Sequence, residues 1–525
     1  MHGNSMHGNQ EVPVAPTAVR KQWAGRGTPK GNPFVHDIGK SDFREVPEKA
    51  PNKDRKVGGG AGGKAEDQGE HMEERTGPTQ GGEAVSQGLH GVREAARRDK
   101  GLKFTALLHH VNERLLTDSF YRLKREAAPG VDRVTWSEYE QGVESRITDL
   151  HDRVHRGAYR AQPSRRVYML KPDGRQRPLG IAALEDKIVQ QAVATVLQQI
   201  YEEDFIGFSY GFRPGRAAHD ALDALTAGIT TKKVNWILDA DIRGFFDNIS
   251  HKELMELIEQ RIADPRILRL IQKWLKAGVS EEGQWSETKV GTPQGAVISP
   301  LLANIYLHYV LDQWIEEWRK EHAHGDVIIV RYADDFVLGF QHRKEAERCL
   351  EQLRERLADY GLELHSEKTR LIQFGRFAAD DRKRDGAGKP ETFDFLGFTH
   401  ICGTIWKSGK FTVQRKTVGK RMTGKLKKIG AELRKRMHDP IEDTGNWLRQ
   451  VVRGYFNYHA VPGNLSRLST FRRAIARYWW HTLRRRSQRS RRTWERTEIL
   501  VNRFLPQPRV LHPHPMERFR AKYPR

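Results

Sequence analysis

The sequence predicts an α+β chain whose last fifth is a separate, basic and helical region. Three observations carry this. Short apolar runs, β-branched or aromatic and bounded by polar sequence, recur between residues 163 and 402 among amphipathic helical stretches. Beyond Thr412 such runs largely stop, and Arg- and Lys-rich helical sequence with interspersed aromatics takes over. The charge divides at the same place: residues 411–525 hold 29 Lys and Arg against 7 Asp and Glu, while the first 410 hold 61 against 60.

At 525 residues the chain is too long for one compact core. Residues 1–90 read as a disordered extension, with Gly58-Gly59-Gly60-Ala61-Gly62-Gly63 and almost no apolar periodicity. Phe104, Leu107, Leu108, Val111, Leu115 and Leu116 then fall at helical spacing. From Pro163 to Pro178 the pattern is extended, with Lys171-Pro172-Asp173-Gly174 as a turn. Ala183–Tyr201 reads as a helix, and Trp236-Ile237-Leu238 as a strand leading into Asp239 and Asp241. His251–Gly278 and Leu301–His322 read as helical. Two strands, Val327-Ile328-Ile329-Val330 and Phe336-Val337-Leu338-Gly339-Phe340, flank Tyr332-Ala333-Asp334-Asp335. Lys344–Tyr360 is a further helix, Phe393–Cys402 is extended, and a Pro-rich tail closes the basic region. The expected divisions are residues 1–90, 91–230, 231–410 and 411–525.

No apolar stretch approaches the length of a membrane span, and the N-terminus lacks the charged-then-apolar pattern of a signal peptide. Cys349 and Cys402, the only cysteines, form neither a CxxC pair nor a zinc ligand set. The expectation is a soluble intracellular protein. The basic region stores self-repulsion that a polyanion relieves, whereas a merely solubilising surface mixes both signs, so nucleic acid is the expected partner.

Asp334 and Asp335 sit at the bend of an apolar hairpin, where like charges repel and burial favours protonation unless a cation compensates. A divalent metal is the simplest compensation; an Asp-rich turn is the plain alternative. A second acidic motif, Asp239-Ala240-Asp241-Ile242-Arg243-Gly244-Phe245-Phe246-Asp247, ends the strand 93 residues before Asp334. Nucleotidyl transfer needs carboxylates from separate strands converging on two Mg²⁺ ions, hard cations that take oxygen ligands. Asp239 and Asp241 alone would serve equally as strand-end caps.

Asp241–Asp247 and Tyr332–Asp335 resemble the two metal-binding motifs of reverse transcriptases, most closely those encoded by bacterial group II introns. Further motifs stand in the family's order. They are Lys171–Ile181, Ser209-Tyr210-Gly211-Phe212-Arg213-Pro214-Gly215-Arg216, Gly291–Pro300, Gly361-Leu362-Glu363-Leu364-His365 with Lys368, and Phe393–Phe398. Arg453-Gly454-Tyr455-Phe456-Asn457-Tyr458 resembles the family's maturase region. The resemblance runs from about residue 90 to the C-terminus. It implies a right-hand polymerase, with an RNA-binding segment and fingers over residues 91–230, a palm over 231–410, and a helical thumb and maturase domain over 411–525.

By the same resemblance Asp241, Asp334 and Asp335 are catalytic, the metal set is Asp241, Ile242, Asp334 and Asp335, and the cofactor is two Mg²⁺ ions. Lys171 and Arg177 would grip the triphosphate, as a point charge and a bidentate fork suit a polyphosphate, although two solvated charges on a hairpin read as well. Phe246 would lie under the sugar and exclude a 2′-hydroxyl, one of Phe245 and Phe246 being a core aromatic. Gln294 would line the nucleotide pocket, and Lys368 would pass a proton or charge to the leaving pyrophosphate. Arg472, Arg473, Arg477, Arg484, Arg485, Arg486, Arg489, Arg491 and Arg492 would bind RNA, with nearby aromatics stacking on bases or forming a small core.

Two positions depart from the family's pattern: Ala296 replaces a second glycine after Gln294, and Arg133 follows Asp132 where glycine is usual. No Cys/His DNA-cutting module is expected, so strand cutting would fall to the RNA or a host primer. The expected partners are group II intron RNA, target DNA and deoxynucleoside triphosphates, with no membrane. The expected location is the bacterial cytoplasm, at the nucleoid when target DNA is bound. Two other readings are a domesticated reverse transcriptase of a diversity-generating or phage-defence system and a splicing-only RNA-binding maturase.

Overall fold

The computed structural model describes residues 80–523, apart from 171–175, 289, 293–294, 406–407 and 488–491. Its first helix, Gln80–Arg98, overlaps the end of the extension read over residues 1–90, the rest of which lies outside the described residues. Arg93 and Arg97 of this helix pair with Glu203 at the end of the helix Leu184–Asp204.

Strands β1 (Ser164–Leu170) and β2 (Gln176–Ile181) form an antiparallel hairpin, with Val167 opposite Leu179. Strand β3 (Trp236–Asp241) ends at the acidic motif. The stretch read as one helix from His251 to Gly278 is two, His251–Glu259 and Pro265–Lys276. Asp264 caps the second by accepting from the Arg266 amide, and Pro265 fits the first helical turn, where its missing N–H costs nothing. Two short strands that the sequence reading missed follow, β4 (Val279–Glu281) and β5 (Gln284–Ser286). They extend the hairpin into a sheet ordered β2-β1-β4-β5.

The central sheet is ordered β6-β7-β3-β8, from β6 (Val327–Tyr332), β7 (Asp335–Phe340), β3 and β8 (Arg370–Gln373), all antiparallel. Side chains alternate between its two faces. Leu238, Ile329, Phe336 and Leu338 join Cys349, Leu353 and Leu357 of the helix Arg343–Asp359 in the large core. Ile237, Val330, Val337 and Ile372 join Leu222 and Leu225 of the helix Ala218–Thr231 in a second core. Both faces are therefore buried, which fixes the register: a slip of one residue would exchange the two sets.

Next, β9 (Phe393–Phe395), β10 (Phe398–Thr404) and β11 (Phe411–Thr417) make a three-stranded antiparallel sheet. Strand structure thus persists to Thr417, beyond the Thr412 limit read from the sequence, and the helix Gly419–Lys435 follows. That helix shares one core with Ile441–His459, Leu465–Arg484 and Trp494–Phe504. Met422, Leu426, Ile429 and Leu433, then Leu468, Phe471, Ile475 and Trp479, recur at helical spacing and form the third core. From there the chain returns to the central region. Leu511 and His512 donate backbone N–H groups to the Ala460 carbonyl, and the helix Pro515–Lys522 binds Ala218–Thr231 through Arg518–Asp223 and Lys522–Asp220. Among the described residues no helix is long and apolar enough to cross a membrane.

Candidate active site

The site lies where β3, β6 and β7 end together. Asp241 stands directly opposite Asp335 in the β3–β7 register, and Asp335 pairs with Tyr332 across the hairpin. That leaves Ala333 and Asp334 as a two-residue turn, so the three aspartates of the sequence reading meet at one edge of the sheet. Asp241 is buried, while Asp334 and Asp335 are half-buried. Ala333 holds φ at 57°, the left-handed region that a two-residue hairpin demands and glycine would enter freely.

Beyond Asp241 the chain is gripped by the Gly361–His365 segment. Ile242 bridges Leu364, Arg243 N–H donates to Glu363 O (2.8 Å), and His365 N–H donates to Asp241 O (2.8 Å). The same segment delivers Lys368, whose Nζ lies 3.0 Å from Asp241 Oδ2. A cation at the carboxylate supplies part of the compensation that paired acids need. Asp239 shares the face of Asp241, two residues back along β3. Burial pushes its carboxyl up to about 7, against the opposing pull of Arg370 at 3.5 Å.

The donor set suits Mg²⁺, being carboxylate oxygens on adjacent strands, and the Ile242 side chain is buried in the core, leaving only its backbone oxygen as a donor. Among the described residues no group of three or more His, Cys, Asp or Glu side chains forms a ready-made cage. Mg²⁺ commonly takes one or two carboxylates and completes its shell with water and substrate phosphate.

Phe245 is fully buried and meets Phe246 edge-on at 5.5 Å between centroids, whereas Phe246 is only partly buried. Of the two aromatics, Phe245 is therefore the core residue. The Gly291–Thr292 segment packs on this turn: Thr292 N–H donates to Phe246 O (2.8 Å), and Gly291 (φ 87°) leaves no room for a Cβ beside the carbonyls of Phe246 and Asp247. Arg177 lies half-buried on β2 opposite Met169. Lys171 and Gln294 lie outside the described residues, as do Arg489 and Arg491. Ala296 is buried and lines a small cavity with Asp186 and Gln190. Arg133 has φ 58°, which explains why glycine suits that position.

In the basic region Phe471 and Trp479 are core residues, and Tyr478 is exposed. Arg473, Arg477, Arg484 and Arg485 are exposed, with Arg484 lying over the Trp480 ring at 5.1 Å. The half-buried Arg472 guanidinium donates to Asn502 Oδ1 and to the Val501 and Leu505 carbonyls, bridging two helices. Arg486 likewise donates to Asp439 O (2.6 Å), and Arg492 is partly buried.

Ser209, which the sequence offered only as the first residue of a motif, meets Asn304, Asp312 and Arg331, to which it gave no role, beneath the Ala333–Asp334 turn, all four buried. One signal was available, namely an arginine closing the apolar strand Val327–Val330, where a charge requires a buried partner.

A palm with acidic residues at one sheet edge defines a right-hand polymerase fold of mixed helices and sheets. Residues 169–400 match the family described as reverse transcriptase (RNA-dependent DNA polymerase). Protein YkfC of Escherichia coli K12 is 36% identical over 276 residues, covering 46% of this chain and 72% of that protein. The group II intron-encoded protein LtrA of Lactococcus lactis subsp. cremoris is 44% identical over 177 residues, 34% of this chain and 28% of that protein. An uncharacterized 91 kDa protein in the cob intron of Schizosaccharomyces pombe is 34% identical over 250 residues, 46% and 31% of the two chains. The chain belongs to the reverse transcriptases of the group II intron-encoded, maturase-related type. It spans less than a third of the lactococcal and fission-yeast relatives.

Proposed function

We propose that this protein is an RNA-directed DNA polymerase and maturase that binds a group II intron RNA, assists its splicing and copies it into DNA at a target site. The observation that supports this best is the cross-strand pairing of Asp241 with Asp335, with Lys368 on Asp241 and Asp334 in the adjoining turn. Asp241, Asp334, Asp335 and the backbone of Ile242 would hold two Mg²⁺ ions. When bound, these would lower the pKa of the primer 3′-hydroxyl and neutralise charge on the departing pyrophosphate. Lys368 would supply a proton or charge to the leaving pyrophosphate, and Lys171 and Arg177 would orient the triphosphate. Phe246, with Phe245 filling the core behind it, would exclude a ribose 2′-hydroxyl. The helical region from Gly419 is the maturase module, with Arg473, Arg477, Arg484 and Arg485 facing outward to RNA phosphates. The protein would act in the bacterial cytoplasm and at the nucleoid.

The test is nucleotide choice on an RNA template. Wild-type protein should extend a DNA primer with deoxynucleotides and reject ribonucleotides, and Phe246→Val should admit ribonucleotides by at least about tenfold. Equal use of both by the wild type would sink this role. Charge reversal at Arg473, Arg477 and Arg485 should weaken intron RNA binding and splicing while leaving extension on a short primer–template largely intact.

A further inference from the structure

The turn carrying Asp334 holds a backbone conformation that disfavours any L-residue, because Ala333 is left-handed (φ 57°). Something must hold it there. The Ala333 carbonyl accepts a hydrogen bond from Arg331 Nη1 (2.9 Å). The same guanidinium donates from Nε to Asp312 Oδ1 (2.7 Å), from Nη1 to Asn304 Oδ1 (3.0 Å) and from Nη2 to Ser209 Oγ (2.7 Å). Asn304 then donates to the Gly211 carbonyl (2.7 Å), and Gly211 packs directly against the backbone of Tyr332 and Ala333. The Arg331 and Asp312 side chains are both 0% exposed.

Burying an ion pair this deeply carries a large desolvation cost, and a well-packed apolar pair of similar volume is often at least as stable. Net stability is therefore a poor account of this pair, and geometry a better one. Asp312 also closes a π-helical turn, His308–Asp312, set between the α-helices Ser299–Leu307 and Gln313–His322. A π-turn changes the helical phase, and such turns recur at functional sites.

We infer that Arg331 and Asp312, with Asn304 and Ser209, form a positioning device that fixes the Ala333–Asp334 turn against β3, and that the π-turn supplies Asp312 at that point. This rests on the polymerase reading: the device sets the place of Asp334 relative to Asp241. It acts through the turn, so its loss lowers the rate of the chemical step and leaves substrate binding alone.

Arg331→Lys tests this, because lysine keeps a charge for Asp312 but cannot also span Ser209, Asn304 and Ala333 O. The turnover number in RNA-templated extension should fall by about 10²-fold. The nucleotide KM and the Kd for primer–template should stay within about twofold. Ala333→Gly, which removes the strain, should recover about tenfold in the Arg331→Lys protein. Amide hydrogen exchange over residues 332–335 should quicken in Arg331→Lys, a readout that needs neither metal nor activity. Should Arg331→Lys not fold, Ser209→Ala removes a single bond and should give the same pattern in milder form. Unchanged turnover and exchange in a folded variant, or a loss shared equally by KM and turnover, would overturn the inference. Wild-type protein inactive on RNA templates would overturn the polymerase reading instead, while the exchange measurement would still decide whether the turn is held this way.

Discussion

Replacing Gly211 by alanine perturbs the Ala333–Asp334 turn without touching any aspartate. A Cβ built on Gly211 would lie 2.3 Å from Ala333 N, 2.9 Å from Tyr332 C and 3.1 Å from Ala333 Cα. Favourable heavy-atom contacts lie near 3.5–4.0 Å, so the turn or the Gly211 segment must move apart by about 1 Å. All three atoms are backbone, and no side-chain rotation relieves the clash. Overpacking of this kind costs about 1–3 kcal/mol, and a displacement of about 1 Å at a reacting centre about 10²-fold in rate. Single-turnover primer extension on an RNA template, beside a thermal melt, measures both. Gly211→Ala protein should melt as a folded protein a few degrees below wild type and extend primers about 10²-fold more slowly. A variant with wild-type rate and stability would refute the claim that Gly211 supports the turn.

Asp223 is buried with Arg415 (2.9 Å) and also pairs with Arg518 of the returning C-terminal helix. Asp223→Ala should destabilise the protein by about 3–5 kcal/mol in urea unfolding, because it leaves the Arg415 guanidinium buried without that partner; a loss under about 1 kcal/mol would contradict the reading. Burial holds His219, His400 and His459 down to about 3 and His308 to about 4, whereas an unfolded histidine titrates near 6.5. On acidification below about 6.5 the unfolded chain takes up protons that the folded chain excludes. The stability these histidines contribute is whole above that pH and drains away toward 3–4, each contributing up to about 1.4 kcal/mol per pH unit. Melting temperature should fall steadily from pH 7 to pH 5, and a flat profile would disprove this. Arg133→Gly relieves a left-handed arginine and should raise stability by about 0.5–1 kcal/mol, read from the urea midpoint.

The parts of this fold that the sequence disclosed are those where burial writes a period into the chain. Val327–Val330 and Phe336–Phe340 read as strands because both faces of their sheet are covered, and the acidic turn between them was legible for the same reason. Strands β4 and β5 left no such trace, since they are three residues each and mostly exposed, joined through Glu282 and Gly283 at positive φ. Strand β11 was missed because its buried positions are Val413, Arg415 and Thr417. Two are polar, and Arg415 is tolerable only beside Asp223, 192 residues away in sequence. The break at Asp264-Pro265 was readable as a helix start but was overrun by the apolar pattern on either side. The three aspartates were legible by motif, and Arg331 stood in the sequence as an unexplained charge. Its partners Ser209, Asn304 and Asp312 come from segments up to 122 residues distant, which no local pattern records. Conversely, Arg472 looks in sequence like its exposed neighbours, and only helix packing turns it toward the carbonyls of Val501 and Leu505.

Primer extension by purified protein on poly(rA)/oligo(dT) with Mg²⁺, beside Asp334→Asn, tests the central claim most directly. The paired-aspartate site predicts DNA synthesis that requires the cation and vanishes in the variant, while folding and RNA binding are kept. Folded, RNA-binding wild-type protein that makes no DNA, or an Asp334→Asn protein that matches it in synthesis, would contradict the account.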